Sequence, residues 1–294
     1  MDQHWATPDI SVVMPVRDAE PWLAEALASL VSAGRGLAWQ LVAVDDGSRD
    51  GSVAALQRLT AIWPAGQLVL EHTQQRGVSA ARNRGIQAAS APLIAFLDAD
   101  DRALPNRLQA PLRLLNANAN LGHSHGGWIC INAEGSRIGT AEPWREGSGF
   151  DRTVAFSPLA VRPSAWTIRR DVLIDIGGFN TNLTHAEDVD LLLRLAAAGH
   201  QGHWLQQPLA RYRVHAGAAN SNVWAHIQLV KSVVNRYLQA CTPHEPAWAS
   251  ALRYSIGSWG AWRAWQAGDL QLALQVLEQA LSECPLPLVL SLIH

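Results

Sequence analysis

Three groups of carboxylates stand at places in this sequence where they could do chemistry. The run "PLIAFLDADD" (92–101) is apolar until it ends in Asp98, Asp100 and Asp101. Asp45 and Asp46 follow another apolar run, and Glu187 and Asp188 open a late amphipathic stretch. Crowded carboxylates repel one another unless a cation lies between them, and a hard, oxygen-liganded cation such as Mg²⁺ or Mn²⁺ is the usual partner. Such a cation keeps waters and takes phosphate oxygens as its remaining ligands, so the acids imply a substrate that carries a diphosphate. Turn aspartates and helix N-caps are the plainer reading, and for "DDGSRDGS" (45–52) the two readings balance. At a buried strand end uncompensated charge is costly, which favours a functional role for Asp98 and Asp100.

The elements that must position these acids follow from periodicity. Short β-rich runs at 10–16, 40–44, 67–71 and 92–97 alternate with helical stretches at 21–30, 52–62 and 77–89. That alternation predicts βαβ units on a mostly parallel sheet flanked by helices, an α/β fold. In such sheets ligands bind outside the carboxyl ends of the strands, where Asp98 and Asp100 stand. Beyond residue 103 the spacing predicts a helix near 106–116 and a hairpin over 126–140 turning at Glu134-Gly135. An irregular stretch at 141–163 is a candidate lid. It leads to a strand at 165–170, a short helix over 171–179 ending at a glycine pair, a helix at 187–199 and a strand at 209–215. From about residue 222 the chain reads as helical. Gly268, Ala273, Ala280 and Pro285 are spaced as in the second helix of a tetratricopeptide repeat, although stacking requires about three repeats and only one is visible. The organisation expected is therefore a domain over 1–221 and a helical C-terminal segment over 222–294, most simply an appendage packed on that domain.

Composition narrows the classes. The chain has 294 residues, 48% hydrophobic, with a formal net charge of -2 and Lys231 as the only lysine, which disfavours a nucleic-acid partner. Cys130, Cys241 and Cys284 are far apart without a CxxC pair, so neither structural zinc nor a disulfide framework is indicated. The first ten residues lack a signal-peptide pattern and no run of 18 apolar residues occurs. A cytoplasmic protein is expected, with peripheral contact at the inner face of the membrane, or with a partner protein, left to the C-terminal helices. No GxGxxG follows the first strand, and GxxxxGK[ST] and GxSxG are missing as well.

Four stretches in this order, "SVVMPVRDAEPWLAEALASL", "VDDGSRDGS", "QRGVSAARNRGIQAASAPLIAFLDADD" and "AEDVDLLLRLAAAG", resemble the family 2 glycosyltransferases of the GT-A fold. The resemblance spans residues 10 to about 217. It implies a nucleotide-diphospho-sugar donor, a UDP-sugar first, with a divalent metal, Mn²⁺ or Mg²⁺, and inversion at the anomeric carbon. The acceptor would be a hydroxyl of a glycan, a lipid-linked glycan or a similar molecule. On the same grounds Pro15 and Val16 line the base pocket, Asp45 or Asp46 receives a uracil-like edge or a ribose hydroxyl, and Arg82 sits by the base or the diphosphate. Asp98 contacts the ribose and metal region, Asp100 is the main metal ligand, and Asp188 is the catalytic base. Arg17-Asp18 stands where family members usually carry Tyr-Asn; an arginine there can stack or pair with phosphate instead. His215 resembles a histidine that some relatives place near the metal and diphosphate, although a lone histidine after a strand is more often a packing residue. Trp166 and Trp204 could form a sugar platform, with burial in the core as the better reading. Two rivals are a nucleotidyltransferase and a non-catalytic glycan- or protein-binding module on a transferase fold.

Overall fold

The computed structural model describes residues 7–60, 63, 67–145, 161–215, 223–240, 256–257, 260–261, 264–265 and 268–283. Strands β1 (Ile10–Val16), β2 (Trp39–Asp45), β3 (Leu68–His72) and β4 (Leu93–Phe96) pair in parallel in the order β3-β2-β1-β4. Every residue of β4 is buried, as its lack of polar alternation requires. The crossovers are α1 (Glu20–Ala33), α2 (Ser52–Thr60) and α3 (Val78–Ala88). Helix α1 begins with proline in its first turn and buries Leu23, Ala26, Leu27, Leu30 and Ala33, a stripe at helical spacing. It runs three residues past the predicted end. It stops at Gly34, where a Cβ would lie 2.2 Å from the Trp39 indole.

Beyond β4 the sheet turns mixed. Strand β8 (Trp166–Arg169) is antiparallel to β4, β6 (Leu121–Ile131) is antiparallel to β8, and β9 (Gln201–Arg213) is parallel to β6. Two short strands complete nine among the described residues: β5 (Arg102–Ala103) on β9, and β7 (Arg137–Ala141) on β6. The predicted hairpin is β6–β7, with Gly135 at φ 88 and Asn132 Oδ1 accepting the Ser136 N–H at 2.8 Å. Helices α4 (Gln109–Ala117), α5 (Arg170–Asp175) and α6 (Glu187–Ala197) fill the second half. One core packs α1, α2 and α4 on one face of the sheet, and another packs α3, α5 and α6 on the other. Strand β9 starts eight residues before the predicted 209, and β5 was not predicted at all. Residues 146–160 of the candidate lid lie outside the described residues.

The C-terminal part is helical where described, with α7 (Val223–Ala240) and α8 (Leu270–Glu283). These helices share a core with α6: Ala186, Val189 and Leu193 pack with Ile227, Val230, Val233, Val234 and Val276. Of the repeat-like positions, Gly268 takes φ 83 just before α8 and Ala280 is fully buried. Pro285 lies outside the described residues. No helix among the described residues is long and apolar enough to cross a membrane.

Candidate functional site

A cleft of about 530 Å³ opens at the carboxyl ends of the parallel strands. Pro15, Val16, Arg17, Asp46, Arg82, Asp98, Asp100, Asp188 and His215 all line it; Asp45 does not. The side chain of Asp45 instead closes its own turn, accepting the N–H groups of Gly47 and Ser48 at 3.2 Å. Asp46 stands one residue past the strand and organises the opposite loop. Its Oδ1 accepts the Thr73 hydroxyl at 2.5 Å and the Arg76 N–H at 2.8 Å, and its Oδ2 accepts the Gly77 N–H at 2.8 Å. Arg17 Nη1 lies 3.9 Å from the same Oδ2.

The three acids after β4 divide their labour. Asp101 is buried and structural: Ser164 Oγ donates to its Oδ2 at 2.5 Å and the Arg213 N–H to its Oδ1 at 2.8 Å. Burial, with Asp100 and Asp98 close by, pushes its carboxyl well above the usual range. Asp98 and Asp100 face the cleft. Burial also raises the Asp98 carboxyl; Arg82 opposes the shift, and the charges of Asp100 and Glu187 reinforce it. Beneath the motif, fully buried Arg107 donates to the carbonyls of Phe96, Ser164 and Trp166 and to Thr167 Oγ1, clamping β4 to the segment around β8. Arg213 Nε donates to the Asp100 carbonyl at 2.8 Å and its Nη2 to Glu25 at 2.7 Å, fixing the turn from the other side.

Arg82 joins two of the acid groups. Its Nη2 donates to Asp98 and its Nη1 to Glu187, both at 2.7 Å, and its guanidinium lies 5.2 Å from the Phe179 ring centroid. Burial would lower its pKa, but the two carboxylates outweigh burial and hold it above its ordinary value. Glu187 is therefore committed to an ion pair. Asp188, the next residue, accepts the Val189 N–H at 2.8 Å and stays in the cleft. Both open α6 directly after Ala186, which takes the left-handed φ 60, a conformation that costs a non-glycine residue about 1 to 3 kcal/mol. Asp18 at φ 47 is a second such residue on the cleft wall.

His215 Nε2 lies 3.0 Å from Asp100 Oδ2, and the ring rests on Trp22 with centroids 4.2 Å apart. An oxygen and a nitrogen donor thus face the cleft together, beside a second carboxylate whose charge is unfavourable to both acids. This suits a divalent cation. Among the described residues no three His, Cys, Asp or Glu side chains form a metal-holding group. A cation here would take Asp100 and His215, with water and phosphate oxygens completing its shell, as Mg²⁺ and Mn²⁺ sites often do.

Sequence reasoning missed Trp22, Arg162 and Tyr212 on the cleft wall. The nearness of Tyr212 and Arg213 to His215 in "YRVH" was an available signal; nothing local marked Trp22 or Arg162. Trp166 and Trp204 are 0% and 9% exposed and pack against His125, so they belong to the core.

Residues 11–177 match the family model described as glycosyl transferase family 2. The chain belongs to that family. An uncharacterised glycosyltransferase of Rickettsia conorii is 28% identical over 211 residues, 71% of this chain and 33% of that protein. The chain thus spans about a third of the length of this relative. Among solved structures, the mannosyltransferase PcManGT of Pyrobaculum calidifontis, in complex with GDP-Man and Mn²⁺, aligns with TM-score 0.67 at 18% identity, covering 98% of this chain and 79% of that one. Staphylococcus aureus TarS 1–349 in complex with UDP aligns with TM-score 0.58 at 16% identity, covering 92% and 90%. The family 2 chain has the GT-A type of fold, a mixed α/β sheet flanked by helices.

Proposed function

We propose that this family 2 protein is an inverting glycosyltransferase that moves a sugar from a nucleotide-diphospho-sugar, a UDP-sugar first, to a hydroxyl of a glycan or lipid-linked acceptor. The observation that carries the reading is the convergence of Asp46, Asp98, Asp100 and Asp188 from three separate segments on one cleft. The neighbours that carry UDP and GDP-Man support the donor class. Pro15, Val16 and Asp46 lie at the β1–β2 end and take the base and ribose. Asp98 and Asp100 lie at the β4 end, beside the diphosphate. Asp188 accepts the proton of the attacking hydroxyl, an effect worth about 10² to 10⁴ in rate. Its place at the start of α6 gives it a fixed backbone. Glu187 is held by Arg82 and is not available for that role. Asp100 and His215 would hold the divalent cation, which when bound offsets the charge that develops on the departing nucleoside diphosphate. Exposed Trp265, Leu270 and Leu274 support a peripheral contact of the C-terminal helices with a membrane or a partner.

Calorimetric titration with UDP and UDP-GlcNAc, and with GDP and GDP-mannose, in the presence and absence of Mn²⁺, tests the donor assignment. Uridine nucleotides are expected to bind, and more tightly with Mn²⁺. Failure of every nucleotide to bind overturns it.

A further inference from the structure

Among the described residues three arginines line the cleft, and they differ in what they face. Arg82 is neutralised by Asp98 and Glu187, each at 2.7 Å, and Arg17 stands 3.9 Å from Asp46. Arg162 forms no ion pair among the described residues. It is held instead by two rings, with its Cζ 5.4 Å from the Trp128 centroid and 4.9 Å from that of Tyr212. One Nη1–H donates to the Val161 carbonyl at 3.1 Å, while the enclosed Nε–H has no hydrogen-bond partner among the described residues. A guanidinium held between rings, with no counter-ion among the described residues, has lost rotamer freedom before any ligand arrives and keeps most of its five donors for a bidentate acceptor.

Its position in the sheet tells which part of a substrate it meets. The order is β2-β1-β4-β8-β6-β9. Asp46 follows β2, Val16 ends β1 and the acids follow β4; Arg162 enters β8 through Pro163–Ala165, Trp128 lies in β6 and Tyr212 in β9. If base and ribose sit at the β2–β1 end and the diphosphate at β4, the strands beyond β4 carry the transferred sugar and the acceptor. Ser164, two residues after Arg162, donates to Asp101 and accepts from the Asp98 N–H, so this arginine is tied to the acid motif at a fixed offset.

We infer that Arg162 recognises a negatively charged group, a carboxylate or a phosphate, on the sugar side of the cleft, carried by the acceptor or by the transferred sugar. The inference rests on the transferase reading above and adds a substrate class to it: an anionic acceptor or a uronic-acid donor, bound by a planar two-hydrogen-bond contact.

Calorimetry on the full chain separates the two sources. In the first arm the protein is saturated with UDP and Mn²⁺, which fills the diphosphate site, and is then titrated with glucose 6-phosphate and glycerol 3-phosphate against glucose and glycerol. In the second arm UDP-glucuronate is compared with UDP-glucose. The charged member of one arm is expected to bind at least about tenfold more tightly, the scale of one charge-assisted hydrogen bond. Arg162→Gln should remove that preference and leave the affinity for UDP unchanged. Arg162→Lys, which keeps the charge without the planar fork, should retain only part of it. Equal binding of charged and neutral probes in both arms by the unmodified protein overturns the inference, and that comparison needs no variant to fold. So does an Arg162→Gln protein that loses UDP itself, which would make Arg162 a diphosphate ligand. Absence of both UDP and GDP binding in the unmodified protein removes the transferase reading together with the inference, and it is seen separately, in the donor titration.

Discussion

His215 Nε2 stands 3.0 Å from Asp100 Oδ2, although 115 positions separate the two residues. The contact joins the tip of β4 to the residue two past β9, and Trp22 supports the imidazole from below. If both side chains hold one cation, Asp100→Ala should weaken Mn²⁺-dependent nucleotide binding by at least about tenfold, and His215→Ala by less. Asp100→Ala should not lower the melting temperature of the ligand-free protein, because removing Asp100 relieves like-charge crowding with Asp98. Nucleotide binding with undiminished Mn²⁺ dependence in Asp100→Ala would refute the metal assignment.

Arg82 has the opposite character, since it is buried and paired on both sides. Arg82→Ala leaves Asp98 and Glu187 without their shared cation and should cost about 3 to 5 kcal/mol in denaturant unfolding, the range for breaking a buried ion pair. A loss below about 1 kcal/mol would show that the bridge contributes little to the fold.

The C-terminal helices press on the helix that carries Asp188. Val189 and Leu193 of α6 share a core with Ile227, Val230 and Val234 of α7. Ending the chain at residue 221 should therefore lower turnover as well as stability, because the support of Asp188 is lost. A truncated protein with unchanged turnover would show that α6 is rigid without α7.

Acid stability should follow a buried histidine pair on β6. His123 Nδ1 and His125 Nε2 are 2.8 Å apart, and both residues are 1% exposed. Burial lowers the His123 pKa to about 3 and, with the charges of His123 and Arg107, drives His125 well below its ordinary value. Both are thus neutral when folded and take up protons on unfolding below pH about 6.5, so stability present above that pH is lost as pH falls from 6.5 toward 3. Each contributes a slope of up to about 1.4 kcal/mol per pH unit. Urea titrations at pH 7, 6 and 5 should show that fall, and His123→Asn should reduce its slope by about one proton. A slope unchanged by that substitution would assign the acid loss to other groups.

Much of this was legible in the sequence, for identifiable reasons. The parallel strands are rich in Val, Ile and Leu and bounded by turns, so their bounds fall within about two residues of the prediction. The first half of β9, "QGHWLQQP", contains no β-branched residue and two conformational breakers, and only pairing with β6 makes it a strand. The choice between Asp45 and Asp46 stayed open because neighbouring strand residues face opposite ways and sequence alone does not set the phase. Arg162 could not be read as a cleft residue, since its approach to Trp128 and Tyr212 depends on β8, β6 and β9 lying side by side, an order that local pattern does not encode.

The base assignment is open to a two-way reading. Asp188→Asn keeps the shape and the hydrogen bond from the Val189 N–H but removes the basicity. Turnover should fall by about 10² or more with nucleotide-sugar affinity nearly unchanged. Near-normal turnover would leave Asp188 as a helix cap only.

The stereochemistry of the first product tests the central claim most directly. Proton NMR of the sugar formed at early times from UDP-glucose with Mn²⁺, before mutarotation, distinguishes direct displacement assisted by one base from a double displacement. The account predicts β-glucose from the α-linked donor. Release of α-glucose as the first product would contradict it.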